Sequence, residues 1–323
     1  MEKTMADHRM TRRDIVGAAV AGLPLVAAGS RVARAQTGAQ NRVAIGISTL
    51  GFPTLSNAQL AETLAEQGFK LIQLFFSQTD SRYWVYNGRS DLSDMTPARS
   101  RAIAAAYRSA GITIHSMGVY TNLVHPDASE RQKNLAYFEA MMKIATAMEV
   151  RYLVTEAGHY HPDTPTSGTT YHLREDVWRR TIEAGKRLAA MAADHGVTVL
   201  MEPFFDGFFA SAKRTRTFLE EVDSAHVRAL LDPANLLEVN DLEEMFDQLG
   251  PWIDCLHAKD RRLHVERGVP AGQGDLDYPT FVSLAAARTP KAPLILEYVG
   301  LDDYQQTLRH LRTTMQKAGV REA

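Results

Sequence analysis

From residue 41 to the end of the chain, short apolar and β-branched runs alternate with longer amphipathic stretches. Val43-Ala44-Ile45-Gly46-Ile47 predicts a strand, and 57–67 a helix that Gly68 ends. Leu71-Ile72-Gln73-Leu74-Phe75 is the next strand. Thr96 and Pro97 supply an N-cap and a first-turn proline for a helix running to 110, stopped by Gly111. A third strand covers 112–115 and a long helix 129–148. The same alternation continues with a strand at 152–154 and a helix at 175–195, closed by Gly196. Strands at 197–201, 227–231, 253–256 and 293–296 precede helices at 211–222, 241–249, 278–287 and 302–317.

Eight strands alternating with eight helices is the arithmetic of a single (β/α)8 TIM barrel, an α/β fold, here spanning 41–318 as one domain. An open doubly wound sheet is the rival. It usually carries a glycine-rich phosphate turn after its first strand, where this chain has Ser48-Thr49-Leu50-Gly51-Phe52.

Composition narrows the function classes. Among 323 residues, 36 Lys and Arg face 38 Asp and Glu, so the basic footprint of a nucleic-acid partner is missing. No apolar run is long enough, with stop-transfer flanks, to predict stable membrane insertion. A single cysteine, Cys255, excludes an intramolecular disulfide and a cysteine-built zinc cluster. Residues 1–35 read as an address. Thr11-Arg12-Arg13-Asp14-Ile15-Val16 precedes a modestly apolar stretch over 15–28, and Ala33-Arg34-Ala35 gives a small-x-small cleavage pattern. Paired arginines and weak hydrophobicity predict an export signal of the twin-arginine type, hence a periplasmic or secreted protein folded before export.

In a barrel of this kind, polar residues at the C-terminal ends of strands face the catalytic mouth. The last four strands each run into an ionisable residue: Glu202, Asp232, His257 and Glu297. Each would be costly to bury alone, whereas four adjacent strands can aim them at one volume and one divalent cation. Three carboxylates and one imidazole suit Mn²⁺, Mg²⁺, Co²⁺ or Fe²⁺, with Zn²⁺ also compatible. His115, ending the third strand, and Glu156, following the fourth, are further candidates for the mouth as substrate contacts.

These residues sit in recognisable surroundings: Met201-Glu202-Pro203, Leu231-Asp232-Pro233-Ala234-Asn235, His257-Ala258-Lys259-Asp260 and Leu296-Glu297-Tyr298, supported by Gly272-Gln273-Gly274-Asp275-Leu276-Asp277-Tyr278. In this order the sequence resembles the xylose-isomerase-like TIM barrels, the superfamily that includes D-tagatose 3-epimerase, inosose dehydratase and AP endonucleases of the endonuclease IV type. The resemblance implies that Glu202, Asp232, His257 and Glu297 bind one divalent ion. It also implies that Glu202 and Glu297 exchange protons with the substrate. Asn235 stands where ketose epimerases carry a substrate-binding histidine, Leu263 where they carry an arginine, and Phe208 where they carry a polar contact. A free-ketohexose pocket is therefore not expected. Asn235, Lys259 and Arg261 are the nearby residues left to touch substrate.

The chemistry follows from such residues. Lewis acidity at a sugar carbonyl stabilises the enediolate formed when the adjacent C–H loses its proton, and two glutamates can serve as base and acid. The expectation is a metal-dependent sugar isomerase or epimerase acting on a small sugar or glycoside. With a leaving group β to the carbanion, the same first step gives a lyase, dehydratase or deglycosylase on an oxidised (keto) sugar. A non-catalytic sugar-binding barrel is the third reading. His159-x-His161 with His172 could hold a second metal, but an i, i+2 pair on an irregular loop has no fixed geometry and reads better as solvated. The aromatic runs Tyr83-Trp84-x-Tyr86, Phe204-Phe205 and Phe208-Phe209 fit either sugar stacking or self-association into a homo-oligomer.

Overall fold

The structure, a computed structural model, describes residues 41–158 and 169–323. The export signal read in 1–35 and the histidines His159 and His161 lie outside the described residues. Eight parallel strands close into a barrel: β1 (Ile45–Ser48), β2 (Leu71–Leu74), β3 (Thr113–Gly118), β4 (Tyr152–Thr155), β5 (Thr198–Met201), β6 (Val227–Leu231), β7 (Ile253–Arg262) and β8 (Leu294–Leu296). Each pairs with its successor, and β8 returns to β1 through Leu294↔Ile45 and Leu296↔Ile47.

The helices follow the strands in turn: α1 (Asn57–Glu66), α2 (Pro97–Ser109), α3 (Ala128–Met148), α4 (Glu175–His195), α5 (Ala212–Val222), α6 (Leu242–Leu249), α7 (Tyr278–Arg288) and α8 (Tyr304–Lys317). Local chemistry sets their starts. Ser56 and Gln59 form a reciprocal capping box, while Thr96, Asp127, Ser211, Asp241 and Asp277 each accept from a first-turn N–H. Gly196 ends α4 at φ 67°, a left-handed conformation that favours glycine.

Apolar residues fill two layers. One lies between barrel and helices, and a smaller one fills the barrel interior with Phe75, Val154, Leu200, Leu230, Cys255 and Ile295. Cys255 is a small buried strand residue, as its sequence context suggests.

Two strand boundaries correct the sequence reading. β3 does not end at His115 but runs on to Gly118. The pairing of Ser116 with Tyr152 puts His115 level with the start of β4, where its ring stacks on Tyr152 at 4.9 Å, away from the mouth. The substrate contact expected of His115 is thereby removed. The second correction concerns β7, which extends six residues past its predicted end and pairs antiparallel with a return strand, Glu266–Pro270. Asp260 fixes this hairpin to the following loop by accepting from the N–H groups of Arg261, Gly272 and Leu276. A Cβ at Gly274 would lie 2.2 Å from the Arg261 carbonyl oxygen, so the glycine-rich loop is needed for packing against β7.

Burial depresses the His115 imidazole to about pKa 4, so the folded state holds it neutral. The unfolded chain takes up this proton near pH 6.5, so stability is complete above that pH and is lost as pH falls toward 4. Between pH 7 and pH 5 the loss assigned to this group is about 2 kcal/mol. Urea unfolding of wild type and His115→Gln at the two pH values checks it: the variant should lose less stability on acidification by about that amount.

Candidate metal centre

A strand alternates its side chains with period two, and that alternation builds the site. Leu200, Leu230, Cys255 and Ile295 point into the barrel and pack together. Two residues further along each strand stand Glu202, Asp232, His257 and Glu297, which continue the same inward face one layer higher. Val154 and Glu156 repeat the relation on β4.

The four residues converge. One ligand atom from each lies within 4.8 Å of every other, and all four side chains are buried. His257 Nδ1 is the hub, 3.3 Å from Glu202 Oε1, 3.4 Å from Glu297 Oε2 and 3.8 Å from Asp232 Oδ2. His257 Nδ1 and Glu297 Oε2 have no hydrogen-bond partner despite their burial. Three carboxylates and one imidazole leave excess negative charge out of water, a costly arrangement unless a cation shares it. The donor set and its unpaired lone pairs therefore fit one divalent ion, and these residues could bind it.

Surrounding side chains orient the donors. Gln73, wholly buried on β2, lies with its Oε1 2.9 Å from His257 Nε2. A metal on Nδ1 requires the proton on Nε2, and Gln73 is placed to accept that proton's hydrogen bond. Glu202 is held at both oxygens: Tyr120 OH donates to Oε2, and Asn235 Nδ2 donates to Oε1 at 3.0 Å. Asp232 Oδ1 accepts from the Asn235 N–H, which turns Oδ2 toward Lys259 Nζ at 2.8 Å. Lys259 also donates to Asn235 Oδ1 at 2.7 Å.

The charges tune one another. Burial tends to raise the Asp232 carboxyl, but Lys259 and then His257 outweigh it and bring the group to about 2. For His257 burial favours the neutral ring, and the Glu297 and Glu202 carboxylates overcome this to hold its pKa well above the usual value. Glu297 is raised, first by burial.

Replacing Gln73 by Leu should lower divalent-metal affinity by about 10–100-fold, the usual cost of losing a partner of a ligating histidine. Gln73→Glu, which keeps an acceptor, should retain affinity. Competition with a chromogenic chelator measures both, and unchanged affinity in the leucine variant would contradict the assignment.

The remaining candidates separate. Glu156, Asn235 and Lys259 line a cavity of about 460 Å³ together with Glu202 and Glu297. Arg261 does not. Its guanidinium is buried behind Phe205 at 4.5 Å and donates to the Ala234 carbonyl at 3.2 Å. Arg267 from the return strand reaches the cavity instead. Tyr86 OH donates to Glu156 Oε2 at 2.7 Å. Gln73, Tyr120 and Arg267 were missed in sequence, although the inward face shared by Gln73 and Phe75 marks the first of them.

Residues 61–314 match a family model described as a xylose isomerase-like TIM barrel. No curated protein matches the chain significantly. Among solved structures, a D-psicose 3-epimerase from Clostridium cellulolyticum H10, solved with D-tagatose, is similar over 87% of this chain and 100% of its own, with 16% identity and a TM-score of 0.65. A 3-keto-D-glucoside 4-epimerase from E. coli is similar over 84% and 100%, with 16% identity and a TM-score of 0.67. A probable 3-DHS dehydratase from Bacillus anthracis is similar over 84% and 98%, with 18% identity and a TM-score of 0.68. At these identities the likeness is one of fold.

Proposed function

The chain belongs to the xylose isomerase-like TIM-barrel family, and from that membership we propose that it is a divalent-metal-dependent sugar isomerase or epimerase that removes a proton α to a carbonyl. The observation that carries this reading is the convergence of the buried Glu202 and Glu297, from strands three apart, on one cavity.

A cation bound by Glu202, Asp232, His257 and Glu297 supplies Lewis acidity that stabilises negative charge developing on the carbonyl oxygen. The protein does the rest. Glu202 and Glu297 take and return the proton from different sides of the substrate carbon. Tyr120 and Asn235 hold Glu202 in one orientation, so little reorganisation accompanies transfer. Lys259 Nζ, with Asp232 and Asn235 fixing it at the cavity floor, presents a positive charge to a substrate oxygen. The export signal read in residues 1–35 would place this activity outside the cytoplasm.

One observation favours elimination as a second reading. Glu156 is a third carboxyl at the cavity and stands outside the metal-ligand group. Burial first, and the Glu202 charge second, push it up to about 8; a cation neutralising Glu202 removes the second contribution and leaves the first. A carboxyl kept protonated can hand its proton to a departing oxygen. The α-proton then resides on a glutamate, the C–O bond breaks, a C=C bond forms, and the leaving group departs as an alcohol or water.

The test is proton exchange. Purified protein supplied with Mn²⁺ in D₂O is expected to exchange the α-hydrogen of at least one ketose, inosose or 3-keto-glycoside, followed by NMR. Conserved substrate mass identifies epimerisation or isomerisation, and two products identify elimination. Tight metal binding without exchange into any of these sugars would overturn both readings in favour of a non-catalytic binding barrel.

A further inference from the structure

The cavity above the four ligand residues is two-sided in chemistry. Most of its polar groups are already engaged. Glu202, Asn235 and Lys259 bond one another and their neighbours, and the Tyr120 and Tyr86 hydroxyls donate to Glu202 and Glu156. Glu297, Arg267 and Leu50 also line it, and the remainder is aromatic, with Phe75, Trp84, Tyr86, Tyr120, Phe204 and Tyr298. Trp84 meets Tyr120 edge-on at 5.3 Å and Phe75 at 4.7 Å, which fixes the plane of its ring.

Tyr298 lines the same cavity and is held there at a cost. It adopts φ 56°, an uncommon backbone conformation for an aromatic residue. Its ring lies over Lys259 Nζ at 4.6 Å and against Gly268, where a Cβ would come within 2.4 Å of the ring. On the return strand, Arg267 pairs with Asp206 at 3.3 Å and lies over Phe204 at 5.6 Å.

A free sugar carries a hydroxyl on nearly every carbon, and each hydroxyl needs a polar partner once out of water. Leu50 and six aromatic side chains make up about half of this lining, so only part of a bound ligand can meet polar groups, and the volume of about 460 Å³ lies within the ~300–1,000 Å³ typical of pockets for drug-sized ligands. Aromatic faces favour an apolar ring instead. We infer that the substrate is a carbonyl sugar joined to an apolar, ring-bearing group of the aryl glycoside class, with the sugar at the four ligand residues and the aryl ring on the wall that includes Trp84 and Phe204. This inference rests on the proposed reaction for its sugar half and on the lining alone for its aryl half.

Calorimetric titration with phenyl and methyl pyranosides of glucose and galactose tests the aryl half directly. Phenyl glycosides are expected to bind at least tenfold tighter than their methyl counterparts for one of the two sugars. Trp84→Ala and Phe204→Ala, checked by circular dichroism and metal content, should each reduce that advantage below threefold. Equal affinities, no binding of any of the four, or a phenyl advantage that persists in both variants would overturn the inference. The two proposals fail separately. A phenyl preference without α-hydrogen exchange in any carbonyl sugar removes the reaction and leaves the aryl subsite; exchange without phenyl preference does the reverse.

Discussion

Changing Glu202 or Glu297 to glutamine is expected to slow α-hydrogen exchange by about 10²–10⁴-fold, the range attributed to a positioned general acid or base. The substitutions are close to isosteric, and each removes a charge from a cluster that is over-supplied with negative charge. The apo variants should therefore be folded and at least as stable as apo wild type, since burying an amide costs less than burying an uncompensated carboxylate. Exchange rates by NMR, read beside metal content and thermal unfolding, separate a lost proton carrier from a lost ion. Near-wild-type exchange in both variants would remove these glutamates from the chemistry.

The second large effect is on stability. Four buried ionisable groups that bind a cation only in the folded state couple metal affinity to folding. Adding Mn²⁺ at about 100 times its Kd to EDTA-treated protein should stabilise it by about 2.7 kcal/mol, or roughly 4–5 °C in Tm for a domain of this size. Asp232→Asn should abolish most of this gain, because Asp232 is both a ligand and the partner of Lys259 at 2.8 Å. Thermal scans with and without metal measure it. A Tm that ignores divalent cations in wild type would count against the centre.

How much of this was legible in the chain depends on the range of the interaction. The barrel was legible because each βα unit carries its own period and its own stop signals. Thr96-Pro97 marks a helix start by a purely local bond. The convergence of Glu202, Asp232, His257 and Glu297 was legible for the same reason: each follows an apolar strand directly, and alternation from Leu200, Leu230, Cys255 and Ile295 sends all four inward.

The failures concern contacts made across the fold. Ser116-Met117-Gly118 falls beyond the strand read as ending at His115, yet it is the part of β3 that pairs with β4, and Gly118 is required because a Cβ there would strike the Phe75 ring. That displaced His115 by a full strand end. The charged run Lys259-Asp260-Arg261-Arg262 lies past the strand end read at 256, but its pairing with the return strand keeps it extended. A register shift between Asp260 and Arg262 interrupts the alternation there, and Lys259 lines the cavity while Arg261 packs behind Phe205. The Gln73–His257 bond joins residues 184 positions apart, and no local pattern announces it.

If Glu202, Asp232, His257 and Glu297 share one ion, the ion itself can be located. Anomalous diffraction at the manganese edge from crystals grown with MnCl₂ tests it most directly. A single strong peak is expected within coordination distance of all four side chains, with His257 ligating through Nδ1. A peak elsewhere, or none while the crystal holds manganese in its solvent, would contradict it.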